Sequence, residues 1–320
     1  MTKITRKLLL SIITVVLTVV ALGTTTFAWF TLTNTSAIQP FEADIVADSG
    51  IEVALGAHDD GLNNPNSLNW VTTLTTEAIQ TYIESEYNAG RIVFNHVTTT
   101  DGVNFMTLGA LSMTATTNGY LEIPLNFRSD TANQIDWTSV GITSDADPWT
   151  IDVAFTDFGD VPRTTPGTVN VDASNAMRIA MISEAAYGGH TVAYEKPATA
   201  ANHVLGVGGD LRGPLSNIDG ILGNADDYLG TGGSMNYYYE KNNTLPFGAD
   251  AVVTLATQTV ISDDLVIEMV DVSGDPIDYQ ADFFGQVMIR VWLEGWDANT
   301  FNSVLSRTIS VQFVFSGVTV

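Results

Sequence analysis

The sequence predicts an all-β protein: an antiparallel β-sandwich, jelly-roll-like, with one or two short helices and a long Gly/Asp-rich loop. Three observations carry this. Apolar residues recur at every second position in run after run, the period of a strand with one buried and one wet face. Between those runs the filler is Thr, Asn, Ser, Asp and Gly with little Lys or Glu, which favours strands and turns over helices. The segment Leu205–Gly233 gathers nine of the 27 glycines, interrupted by Asp210, Asp219, Asp226 and Asp227, and reads as a long surface loop or insertion.

Taken in chain order, the first element is an export signal. Lys3, Arg6 and Lys7 precede a run from Leu8 to Phe30 that carries no charge. Thr26-Phe27-Ala28 has the small-x-small form that a signal peptidase reads, so residues 1–28 are expected to leave after Ala28 and expose Trp29. The same run could instead stay as a membrane anchor, because about 20 apolar residues span a bilayer; only then would the membrane be a partner. Trp29–Ile38 follows without charge, Gly or Pro. Thr73–Asn88 places Leu74, Ala78, Ile79, Tyr82, Ile83 and Tyr87 at helical spacing, with Thr76-Glu77 opening the helix and Asn88-Ala89-Gly90 closing it.

Strands dominate the rest. Tyr120–Phe127 alternates Leu121, Ile123, Leu125 and Phe127 against Glu122 and Asn126, and Pro124 predicts an edge or a bulge. Trp149–Phe155 alternates as well. Val252–Val260 and Leu265–Val272, separated by Ser262-Asp263-Asp264, have the look of a hairpin. Val287–Leu293 and Thr308–Phe315 close the set, with Ile289, Val291, Ile309, Val311 and Phe313 expected in the core. A second short helix is expected at Ala298–Leu305. Residues 29–320 form a single elaborated domain in this reading, with a sub-boundary near 162–167 as the alternative.

Composition limits the function. The first 28 residues hold three of the 12 basic residues and none of the 36 acidic ones. So acidic a chain, its remaining Lys and Arg scattered singly from Arg91 to Arg307, repels nucleic acid and anionic headgroups. Nucleic acid is excluded as a partner. Cysteine is absent, which suits a bacterial surface protein held together by its core rather than by disulfides.

Catalytic signatures are missing in turn. His58, His96, His190 and His203 form no His-Glu-x-x-His, and neither a Gly-x-Ser-x-Gly elbow nor a cysteine nucleophile occurs. Gly206-Val207-Gly208-Gly209-Asp210 lacks the Lys-Ser/Thr of a phosphate loop. The chain is therefore read as not an enzyme. Calcium is the one cofactor its residues suggest: Asn217, Asp219, Asn224, Asp226 and Asp227 sit closely spaced between glycines, as do His58-Asp59-Asp60 and Asn63-Asn64. Asp and Asn also simply make turns, so both readings stand. Tyr237-Tyr238-Tyr239 is read as a strand with one ring in the core and two at the rim.

The basic start, the apolar run, Gly23-Thr24-Thr25 and then Thr26-Phe27-Ala28-Trp29-Phe30 together resemble the signal region of the TasA/camelysin group of secreted Firmicutes proteins. Val287–Gly295 with Trp296-Asp297 is similar to a C-terminal motif of surface proteins carrying that type of signal. Between Ile38 and Gln286 no likeness is found. The resemblance implies a jelly-roll sandwich, processing by a dedicated signal peptidase, and extracellular matrix filaments of biofilms whose subunits join by strand exchange. On this chain the donor would be Trp29–Ile38, with Trp29, Phe30, Leu32 and Ile38 as its apolar residues and a second copy as its partner. The alternative is a monomeric or membrane-tethered adhesin or lectin-like module using the Gly/Asp loop and calcium. Either reading places the protein outside the cell, secreted or on its surface.

Overall fold

The computed structural model describes residues 37–38, 41–48, 50–87, 92–109, 111–144, 148–157, 161–170, 172–197, 233–243, 246–248, 252–304 and 307–320. The signal segment, Ala28, Trp29, Phe30 and Leu32 lie outside them. So do Asn88-Ala89-Gly90, His203 and the calcium candidates Asn217, Asp219, Asn224, Asp226 and Asp227.

The fold is an all-β sandwich. One sheet has five strands in the order Asp264–Glu268, Gln134–Ser144, Ile309–Val318, Phe41–Asp48, Thr73–Leu74. The other has nine, built on the spine Phe283–Glu294. Tyr120–Ser129 flanks that spine on one side with Ile51–Leu55 beyond it, and Met177–Ile182 flanks the other with Thr191–Glu195 beyond. Where Tyr120–Ser129 ends, His96–Thr99 takes over beside Leu293 and Glu294, followed by Phe105–Thr107 and Thr114–Thr116. The alternating apolar residues meet between the sheets, where Phe127 of one lies edge-on to Phe315 of the other at 5.2 Å. Ile289, Val291, Ile309 and Phe313 are fully buried and Val311 nearly so.

The sheets are mixed, not purely antiparallel. Phe41–Asp48 runs parallel to Ile309–Val318, and Leu293–Glu294 runs parallel to His96–Val97. Parallel neighbours need a long crossover, which the chain between residues 48 and 309 provides. Pro124 is not on an edge strand. It pairs with Met288, while its missing N–H faces the other side, where Ile51–Leu55 has ended and Gly56 N donates to the Pro124 carbonyl at 3.4 Å.

Other expectations change shape. Val252–Val260 forms no hairpin; it lies extended along the sheet edge, joined by Leu255 N to Thr99 O and Gln258 N to Ala193 O, both 2.7 Å. Its expected partner is divided between the sheets, Asp264–Glu268 in one and Val270–Asp271 in the other, with the crossing at Met269. Trp149–Phe155 is broken into Pro148–Thr150 and Phe155–Asp157 by a bend at Asp152. The helix spans Thr76–Glu86, with the Thr75 hydroxyl accepting from Ala78 N as its cap and Ile79 and Ile83 buried. Among the described residues of Ala298–Leu305 the helical element is a 3-10 turn at Asn302–Val304. Tyr237-Tyr238-Tyr239 lies in the helix Ser234–Asn242 rather than in a strand, with Tyr237 and Tyr238 buried.

Candidate functional site

Of the expected donor-strand residues, Ile38 alone is described. Ala37–Ile38 pairs antiparallel with Ile92–Val93 of the same chain. His58-Asp59-Asp60 opens the short helix His58–Asn63, and Asn63 donates its amide to the Asp59 carbonyl at 2.8 Å. Among the described residues no three His, Asp or Glu side chains are grouped to hold a metal ion. Buried His96 lies 3.0 Å from the Leu108 carbonyl, and His190 lies 3.4 Å from Glu268. Tyr237 donates its hydroxyl to Asp152, which also holds Lys241 at 2.6 Å.

A groove of about 840 Å³ lies on the outer side of the nine-stranded sheet's 120–124 segment, against the helix Thr76–Glu86. Four separated stretches of sequence build it. The helix buries Ile79 and Ile83, and its other flank sends Tyr82 and Glu86, one turn apart, into the groove. Tyr87 ends the helix, and its hydroxyl is clamped to the next strand, accepting from Glu122 N at 2.9 Å. Tyr120 begins that strand after Gly119, where a φ of +95° and an Asn95 Cβ that would stand 2.9 Å from an added Cβ exclude a side chain. Tyr120 stacks on Phe105 at 3.9 Å. The opposite wall is Gly56–Asp60, fixed because Gln286 Nε2 donates to the His58 carbonyl at 2.8 Å.

The groove is electrostatically negative. Burial raises the pKa of Tyr82, and the neighbouring Glu86 and Glu122 charges raise it further. Burial likewise raises Tyr87, opposed by the bond to the Glu122 main chain, and raises Tyr120, with the Glu122 charge adding and Arg290 opposing. Burial lowers the pKa of His58, against the opposing pull of the Val287 carbonyl and Glu184, and so favours a neutral ring. Glu122 is paired with Arg290 at 2.7 Å, whereas no ion pair forms at Asp59, Asp60 or Glu86 among the described residues.

A second cluster lies in the interior and escaped the sequence reading. Arg178, 3 % exposed, reaches Glu195 at 2.7 Å and Asp297 at 2.8 Å. Beside them Glu294 accepts from Trp292 Nε1 at 3.0 Å and Trp296 N at 3.2 Å. Burial pushes both Glu294 and Asp297 up to about 6, with Arg178 opposing. The signal for it was two acids set among tryptophans in Trp292-Leu293-Glu294-Gly295-Trp296-Asp297, since unpaired charges do not enter apolar strands. This cluster is closed to solvent and ties the ends of three strands together.

Among the described residues no helix is long and apolar enough to cross a membrane. Comparison with protein-family models, with curated proteins and with solved structures finds no match to this chain.

Proposed function

We propose that this chain is a non-enzymatic extracellular structural subunit that self-assembles into surface or matrix filaments, Trp29–Ile38 donating a strand to a neighbouring copy. The observation that carries this reading is a half-open sheet edge. Phe41–Asp48 is paired over its whole length with Ile309–Val318. On its other side Thr73–Leu74 meets only Ile45 and Val46, with one further bond from Ala47 N to Thr72 O. Among the described residues the start of that strand therefore offers main-chain donors and acceptors to an added strand. Trp29–Ile38 precedes that strand in sequence; its last two residues pair with Ile92–Val93 of the same chain, which leaves Trp29–Ser36 as the part to be donated. The signal-region resemblance supports the same reading, and the missing catalytic motifs support its non-enzymatic half.

Electron microscopy of the protein recovered from the exporting cell tests it. Fibres are expected, and deletion of Trp29–Ile38 abolishes them while leaving a soluble domain that melts cooperatively. Equally good fibres from the deleted chain would sink strand donation. The tyrosine-lined groove favours a second reading, an adhesin or lectin-like module; a ligand-dependent rise in melting temperature without any fibres would select it.

A further inference from the structure

We propose that Asn118-Gly119 is a site of spontaneous modification, at which the Gly119 amide nitrogen closes on the Asn118 side chain and converts it, through a cyclic imide, to aspartate and isoaspartate. The inference is independent of whether the chain polymerises. Asn-Gly occurs once in the sequence. Glycine carries no Cβ to obstruct the approach of its nitrogen to the preceding side chain. The step forms a bond from Gly119 N to Asn118 Cγ and breaks the bond from Cγ to Nδ2. The Gly119 amide proton goes to the leaving nitrogen, which departs as ammonia. Water then opens the imide at either carbonyl, giving an aspartyl or an isoaspartyl link.

The fold leaves both reacting groups free. Asn118 is exposed and is held through its main chain, its N–H donating to Thr116 Oγ1 and its carbonyl accepting from that hydroxyl, both at 3.0 Å. Among the described residues its side-chain amide has no hydrogen-bond partner, and no acceptor takes the Gly119 N–H. Main-chain donors of buried residues such as Gly119 are ordinarily paired, so this nitrogen is held back by little. Both residues line the groove, which admits the water that the second step consumes. Related pairs elsewhere are tied down. Gly102 N donates to Thr99 Oγ1 at 3.0 Å, and the preceding Asp101 carboxylate accepts from Val103 N and Asn104 N. Gly61 N, after Asp60, donates to the Ala57 carbonyl at 3.2 Å. In Asn66-Ser67 the Asn66 amide donates to the Asp278 carbonyl and Ser67 N to the Asn64 carbonyl, both at 2.9 Å. Isoaspartate would lengthen the main chain by one methylene beside Gly119, whose carbonyl accepts from Asn95 N at 3.2 Å.

Peptide mapping by mass spectrometry tests the assignment on the full folded chain aged in mildly alkaline buffer, with isoaspartyl groups labelled by a protein isoaspartyl methyltransferase. The Asn118 peptide should gain the mass difference between an amide and a carboxyl, as a mixture of both linkages. Its rate should stay within about tenfold of that of the same chain in urea, because the fold restrains neither group. Asn66 should stay intact in the folded chain over the same time. Asn118→Gln, whose longer side chain needs a larger ring, should lose the modified peptide. Conversion slowed by more than about tenfold in the folded chain, aspartate without isoaspartate, or Asn66 converting as fast as Asn118 would each overturn the proposal.

Discussion

Replacing Arg178 by Met tests how the interior charge cluster is held. Arg178 sends two ion pairs to Glu195 and Asp297 and also donates to the carbonyls of Met177 at 2.8 Å and Asn175 at 3.2 Å. Methionine occupies similar length but supplies no donor and no charge. Among the described residues Asp297, fully buried, then keeps the Asn299 backbone and side-chain amides on its carboxylate. Breaking a buried pair from one side costs about 3–5 kcal/mol, because the other charge stays in the interior uncompensated. For a domain of this size that lowers the melting temperature by roughly ten degrees. The loss also depends on pH. Glu294 and Asp297 are raised to about 6 in the fold, whereas unfolded carboxylates titrate near about 4. The native chain binds protons more tightly, so these two groups contribute most stability below about pH 4 and lose it as pH rises through about 6. Without Arg178 the Asp297 carboxyl rises further, and protonation relieves the variant in mild acid. Chemical denaturation at about pH 5 and about pH 8 should show the smaller penalty at the lower pH. Adding Asp297→Asn should recover part of the loss at the higher pH. A penalty below about 1 kcal/mol, or one equal at both pH values, would refute the account of a buried pair stabilised by its cation.

Phe313, fully buried and 6.3 Å from the Trp137 ring, should cost about 3–5 kcal/mol when replaced by Ala, measured by urea denaturation; under about 1 kcal/mol would mean the site collapses or the face is misassigned. Gly61→Ala should cost about 1–3 kcal/mol, because a Cβ there runs into the Asn126 side chain and comes within 2.9 Å of Gln286 Nε2, separating an amide pair now 2.7 Å apart. An unchanged melting temperature for Gly61→Ala would show that the short helix His58–Asn63 is free to shift.

The sandwich was legible because its signals are local. Strands with one core-facing side repeat their apolar residues at period two, and Ile289, Val291, Ile309, Val311 and Phe313 all went to the core as that pattern requires. The Thr76–Glu86 helix was legible for the same reason at its own period. Pairing direction was not, since nothing within Phe41–Asp48 states that its neighbour is Ile309–Val318 running parallel. Tyr237–Tyr239 misled because tyrosine favours strands locally, while the helix there is imposed from outside. Ser234 N and Oγ bond to the carbonyls of Ala298 and Asp297, and Tyr237 reaches Asp152 across the fold.

The groove was illegible for a stronger reason: no stretch of sequence contains it. Asp59 and Asp60 suggested calcium because adjacent acids in a polar run are a familiar ligand pattern. Their actual neighbours across the groove, Tyr82, Glu86 and Tyr120, come from segments that share no spacing rule with them. Tyr82 and Glu86 belong, in sequence, to the polar flank of an amphipathic helix, where a tyrosine and a glutamate attract no notice. What makes them distinctive is the strand placed beside them, and that placement depends on the clamp between Tyr87 and the main chain of Glu122 and on Gly119 allowing the close turn. The interior cluster is the opposite case. Glu294 and Asp297 stand in an apolar strand end where charge is costly, so their presence alone demanded a buried counterpart. Arg178, one of only 12 basic residues in the chain, lies in the equally apolar run Met177–Ile182 and was the matching half. A charge inside an apolar strand therefore announces a partner, whereas a charge on an exposed helix flank announces nothing until its surroundings are known.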